Sequence, residues 1–91
     1  MLEHLVHTSG WTATFVDPSL HAEIWDLKED LLQLHHGRLN RLADLGWYGD
    51  RFRAVVFQGD FQGQLLGQGE AFDQTNALAA LQRLLDTFAI E

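Results

Sequence analysis

The segment 73–88 constrains the fold more than any other stretch of the chain. Asp73 is a residue type that accepts hydrogen bonds from the free amides of a helix start. Behind it, Ala77, Leu78, Leu81, Leu84, Leu85 and Phe88 recur at the spacing of one helical face. The other face carries Gln74, Ala79, Gln82, Arg83 and Asp86. A helix with so one-sided a stripe has to lay it on another element. Phe72, just before the cap, is placed to staple onto the first turn near Ala77.

Residues 51–58 and 64–71 supply that element. Phe52, Ala54 and Val56 alternate with Val55 and Phe57, so both faces are apolar and a central strand is expected. Gly59-Asp60-Phe61-Gln62-Gly63 reverses the chain into the second run, where Gly67 and Gly69 share a face with Leu65 and Ala71. Alternate glycines in a strand leave room for a helix to approach the backbone closely.

In the first half, Trp11–Val16 reads as a strand with Trp11, Ala13 and Phe15 on one face and Thr12 and Thr14 on the other. Residues 2–8 form a similar run, and Ser9-Gly10 between the two predicts a first hairpin. Asp17-Pro18 has the form of a helix start, a side-chain cap followed by a preset φ. Leu20, Ile24, Leu27, Leu31 and Leu34 then recur at helical spacing, with Glu23, Asp26, Glu29 and Asp30 between them. Gly37 either stops this helix or is carried through it, because Leu39, Leu42 and Leu45 continue an apolar pattern up to Gly46. Gly46-Trp47-Tyr48-Gly49-Asp50 reads as a loop. The expected fold is a single α+β domain over residues 1–91: a four-stranded antiparallel sheet, ββαββα, with its helices packed on one face.

A chain of 91 residues can bury about 64% of its unfolded surface, enough to fold without staples. It has no cysteine, which removes disulfides, thiolate metal sites and a cysteine nucleophile. Six basic residues against thirteen acidic ones give a net charge of −7, which repels polyphosphate. That balance disfavours nucleic acid and admits a protein partner, a basic one in particular, or a homodimer. Glu3 and His4 interrupt the start of the chain, and no apolar run reaches the roughly 18 residues of a membrane span. The expectation is a cytoplasmic protein without membrane contact.

The residues that carry chemistry do not converge. His4 and His7 face opposite ways on a strand and would share a face only on a helix, and His35 and His36 diverge by about 100° on a helix, so no pair is assured of chelating one ion. Ser9 and Ser19 lack a nucleophile elbow, Lys28 sits among acids, and Asp60 belongs to a turn. Gly67-Gln68-Gly69 lacks the third glycine and the lysine of phosphate-binding loops. No catalytic residue, metal ligand or cofactor is expected. Trp47 and Tyr48 stand apart: two large aromatics between glycines either cap the core or form an interaction surface. With Arg51 and Arg53 close by in sequence, the four are the candidate partner-binding residues.

The stretch from Phe52-Arg53-Ala54-Val55-Val56-Phe57 through Gly67-Gln68-Gly69-Glu70-Ala71 to Ala77-Leu78-Ala79-Ala80-Leu81 resembles the last two strands and final helix of double-stranded RNA-binding domains, over about a third of the chain. That family holds phosphates with lysines at the start of its last helix. Here those positions are Asp73, Gln74, Thr75 and Asn76, so the resemblance implies fold without carrying over the RNA contacts. A hairpin followed by an Asp-capped, Ala/Leu-rich helix is also similar to the HicB family of acidic antitoxins, which bind a basic toxin; the proline-containing turn of that family is missing here. The expected function is a small acidic, non-enzymatic interaction or regulatory module that self-associates or binds another protein. The alternatives are a nucleic-acid-binding domain using Arg38, Arg41, Arg51 and Arg53, a HicB-like antitoxin, and a small hydrolase or metal protein. The charge predicts little affinity for duplex RNA or DNA at physiological salt, measured by filter binding; submicromolar affinity there would contradict it.

Overall fold

The computed structural model describes residues 10–90. Five strands, β1 (Trp11–Val16), β2 (Leu32–His36), β3 (Arg41–Trp47), β4 (Phe52–Gln58) and β5 (Leu65–Ala71), form one antiparallel sheet whose order follows the chain. Among the described residues one α-helix, α1 (Gln74–Thr87), lies across one face, and a single 3-10 turn, Pro18–His21, follows β1. No helix of the described residues is long and apolar enough to cross a membrane. The expected ββαββα arrangement with a four-stranded sheet is therefore corrected to a five-stranded meander with a C-terminal helix. The expected strand over residues 2–8 lies outside the described residues.

The error falls on residues 18–46, and its cause is visible in the register. Leu32 stands opposite Leu45, which stands opposite Ala54; Leu34 stands opposite Ala43, which stands opposite Val56. These rows put Leu32, Leu34, Ala43, Leu45, Ala54 and Val56 on the helix-covered face, where all are buried. Gln33 and His35 point the other way. The leucines of 31–34 thus obey a period of two, and their helical spacing to Leu20, Ile24 and Leu27 is incidental. Ile24 and Leu27, which that helix would have buried, are 81% and 60% exposed. Helix propensity is worth only tenths of a kcal/mol per residue, whereas a strand between two others pairs both edges and buries a leucine at every second position.

Asp17-Pro18 does cap a turn, but the carboxylate is drawn into a different network. Asp17 Oδ2 accepts from the Ser19 amide at 3.0 Å and the Ser19 hydroxyl at 2.6 Å, and Oδ1 accepts from Lys28 Nζ at 3.1 Å. Ser19 Oγ in turn accepts from the Asp26 amide at 3.0 Å, and the Asp17 amide donates to the Leu31 carbonyl at 2.8 Å. One buried carboxylate therefore ties the far end of the loop back to β1, and the backbone leaves the turn extended at Ala22. Gly37 lies in the turn between β2 and β3, where Asn40 takes a left-handed φ of 51°.

Gly46 does not stop a helix. It is buried inside β3, and the Glu29 carbonyl occupies the space a Cβ there would fill. On either side the Leu31 amide donates to the Leu45 carbonyl at 3.1 Å and the Trp47 amide to the Lys28 carbonyl at 2.7 Å. The backbone of residues 28–31 is thereby laid along β3. In β1 the strict alternation fails at a bulge between Ala13 and Phe15, so Phe15 stands opposite Gln33 on the uncovered face and Val16 opposite Leu32 on the core side.

The second half follows the sequence closely except at Leu65, which a bulge beside Val56 and Phe57 sets opposite Phe57 on the uncovered face instead of with Gly67, Gly69 and Ala71, while Leu66 packs against the core. Phe52, Ala54 and Val56 share the core face of β4, which is paired on both edges. Ala80 lies against Gly69, and Leu84 and Phe88 against Gly67, which is the close approach expected of alternate glycines. Asp73 caps α1 by accepting from the Asn76 amide at 2.8 Å, and Ala77, Ala80, Leu81 and Leu85 are buried. Phe72 makes no staple and is 72% exposed. At the other end, the Trp11 indole donates to the Leu85 carbonyl at 2.9 Å, and Arg41 donates to the Phe88 and Ile90 carbonyls at 3.0 Å each. Sheet side chains thus satisfy carbonyls that a helix end leaves free. Leu81→Ala should cost about 2 to 5 kcal/mol and Leu27→Ala no more than about 0.5, measured by urea unfolding. Equal losses at both would restore the helical reading of residues 20–34.

Candidate functional site

The loop that crosses Gly46 does not collapse onto the sheet along its whole length. Between it and the start of α1 an open cleft of about 580 Å³ remains, lined by residues 23–25, Leu27, Trp47, Phe52 and residues 72–75. Its floor is aromatic: the Trp25 and Phe52 rings meet edge to face with centroids 5.7 Å apart, and Trp47 and Phe52 do the same at 4.9 Å. Its rim is formed by Ile24, Leu27 and Phe72, large apolar side chains that stand in solvent. A side-chain amide fixes the width. Gln74 Oε1 accepts from the Trp25 amide and Gln74 Nε2 donates to the Glu23 carbonyl, both at 2.7 Å, so the first residue of the helix clamps the loop. Trp25 is buried, and its indole N–H meets no acceptor among the described residues. An unsatisfied buried donor costs about 1 to 3 kcal/mol.

The structure divides the four candidate partner-binding residues between two faces. Trp47 ends β3 on the core side, packs on Phe52 and lines the cleft. Tyr48 and Arg53 lie on the uncovered face, with the Arg53 guanidinium 6.0 Å from the Tyr48 ring centre and donating to Gln68. Arg51 bridges the two regions. It pairs with Asp50 at 2.9 Å and Glu70 at 3.2 Å, while its guanidinium sits 5.5 Å from the Phe72 ring centre. Ile24, Trp25, Leu27 and Phe72 were not singled out from the sequence as site residues. The available signal was an Ile-Trp-x-Leu cluster embedded between Glu23, Asp26, Glu29 and Asp30, where an apolar group is conspicuous if the segment is not a helix.

His35 and His36 are likewise separated, and the pair His4 and His7 lies outside the described residues. His36 is buried with its Nδ1 accepting from the Leu39 amide at 3.2 Å and its ring edge-on to Trp11, whereas His35 points to the other face near Asn40. Among the described residues no three His, Asp or Glu side chains gather as a metal site.

Asp44 is the unusual charge. It lies on the uncovered face between Gln33 and Val55, yet it is buried. Tyr48 Oη approaches one carboxylate oxygen at only 3.5 Å, and Oδ1 has no hydrogen-bond partner among the described residues. Burial, followed by the Asp30 charge, pushes its carboxyl up from 3.8 to about 6.

Comparison of the chain with protein-family models, with curated proteins and with solved structures finds no match. The two sequence resemblances gain no support from these comparisons.

The folded state holds the Asp44 proton more tightly than the unfolded chain does. Its stabilising contribution is complete below about pH 4 and is lost as the pH rises through about 6. Asp44→Asn should therefore match the parent near pH 4 and exceed it at pH 7.5, by on the order of 1 to 3 kcal/mol. Thermal unfolding across that range checks this, and a stability difference independent of pH would contradict it.

Proposed function

We propose that this chain is a small, non-enzymatic protein-interaction module whose docking point is the cleft between residues 23–27 and the start of α1. One observation carries the reading: Ile24, Leu27 and Phe72 stand in solvent around a single aromatic-floored cleft. Isolated exposed apolar residues are ordinary, but three large ones gathered at a concave site mark a place where another molecule covers them. The cleft falls within the roughly 300 to 1,000 Å³ of sites that bury a bound group. Tryptophan is also among the residues that carry most binding energy at protein interfaces. Trp47 retains its proposed role from the sequence, and Arg51 contributes by holding Phe72. Tyr48 and Arg53, on the other face, do not enter this site. A cytoplasmic setting belongs to the same proposal and is read from the sequence alone.

A photo-crosslinking amino acid placed at position 72, in the cells that make the protein, tests the reading. Discrete adducts are expected at position 72 and not at Arg38, which lies in the turn between β2 and β3. Adding Ile24→Ser should reduce the adducts about tenfold, the effect of losing an interface anchor. A dimer-sized adduct would identify the partner as a second copy. Equal labelling at positions 72 and 38, or labelling indifferent to Ile24→Ser, would refute the cleft as a docking point.

A further inference from the structure

We infer that the occupant of the cleft is a peptide segment that presents a large apolar side chain between lysines or arginines. This rests on the reading of the cleft as a docking point and adds the chemistry of what docks. The apolar part follows from the floor of Trp25, Trp47 and Phe52. The basic part follows from how charge is distributed around it.

Glu23 and Asp73 line the cleft. The loop that forms one wall continues through Asp26, Glu29 and Asp30 with Lys28 as its only cation. Lys28 is already committed, to Asp17 at 3.1 Å and to Asp26 at 3.4 Å. Across the cleft Arg51 is committed in the same way to Asp50 and Glu70. Both neighbouring cations thus face two carboxylates each, and among the described residues neither Glu23 nor Asp73 has a cation at salt-bridge distance. Asp73 accepts from the Asn76 backbone and side-chain amides at 2.8 Å and caps α1, so the positive end of the helix offsets part of its charge. Among the described residues Glu23 has no such compensation. An apolar anchor entering between these groups brings its flanking residues over the acidic rim, where lysine or arginine is favoured and a carboxylate repelled.

The same charges decide against two other occupants. A second copy carries the same net charge of −7, so its approach is opposed. A membrane surface offers apolar depth to Ile24, Leu27 and Phe72, but anionic headgroups attract cations and repel this rim.

Selection of a random peptide library on the immobilised full chain tests the inference, followed by affinity measurements on synthetic copies of the enriched peptides. The expected peptides carry Leu, Phe or Trp flanked by Lys or Arg, and bind better than scrambled peptides of the same composition. Their affinity should fall about tenfold with Phe72→Ser and about threefold with Glu23→Gln, and should weaken as salt rises. Both side chains point to solvent at the rim, and circular dichroism of each variant confirms that its fold is kept. Peptides with neutral or acidic flanks that still lose affinity with Phe72→Ser would overturn the basic segment and leave the cleft as a docking point. Basic peptides indifferent to both Phe72→Ser and Ile24→Ser would overturn the docking point as well. So would binding to phosphatidylcholine–phosphatidylserine vesicles in place of any peptide.

Discussion

The absence of one side chain organises the first half of the molecule. Gly46 is buried in β3, and the Glu29 carbonyl stands where its Cβ would be, so residues 28–31 can run against the strand and bond to it through Leu45 and Trp47. Everything upstream in the loop is positioned from that crossing. Once residues 28–31 are fixed, Lys28 reaches Asp17, the chain between them is drawn into a closed loop, and Ile24, Trp25 and Leu27 are carried past the end of the sheet toward α1. The Gln74 amide then catches the loop at Glu23 and Trp25. The cleft is what is left between a loop held at both ends and the start of the helix, to which Gln74 ties it.

Two buried aspartates show how burial alone fails to predict a charge. Asp17 accepts three short hydrogen bonds, and the Ser19 hydroxyl first, then Lys28, holds its carboxyl below the ordinary range. Asp44 is equally hidden but nearly unpartnered, and its carboxyl moves the opposite way. The first fixes a loop that the fold needs. The second sits on the face that α1 leaves uncovered, and favours the fold most when it is protonated.

Legibility in the sequence follows how many forces act on a segment. In β4, β5 and α1 the alternation of residues 52–57, the glycines at 67 and 69, the Asp73 cap and the apolar stripe all agree, and the structure reproduces each of them. Residues 18–46 are different because their signals conflict. Asp17-Pro18 starts a turn correctly, and Leu20, Leu31 and Leu34 are core residues as expected. Their common spacing nevertheless pointed to a helix that the pairing of β2 between β1 and β3 overrides. The cleft inherits that conflict: helical spacing places Ile24 and Leu27 in a buried stripe, and only the strand register leaves them exposed. Trp47, conspicuous in sequence beside glycines, lines the cleft and packs on Phe52, and Phe72 is evident in sequence as an apolar residue before a cap but not as one left in solvent. Arg53 is close to Trp47 in sequence, but the pairing of Trp47 with Phe52 puts the two side chains on opposite faces of the sheet.

Backbone amide hydrogen exchange, resolved by residue in the parent protein and in Gly46→Ala, tests most directly whether the loop is laid across the glycine. The account predicts slow exchange at Leu31 and Trp47 in the parent, with Glu29 and Asp30 exchanging rapidly. In Gly46→Ala the protection at Trp47 should be lost while the amides of β4 and β5 keep theirs. A continuous protected run from Leu27 to Asp30, or protection at Trp47 unchanged by the added methyl, would contradict it.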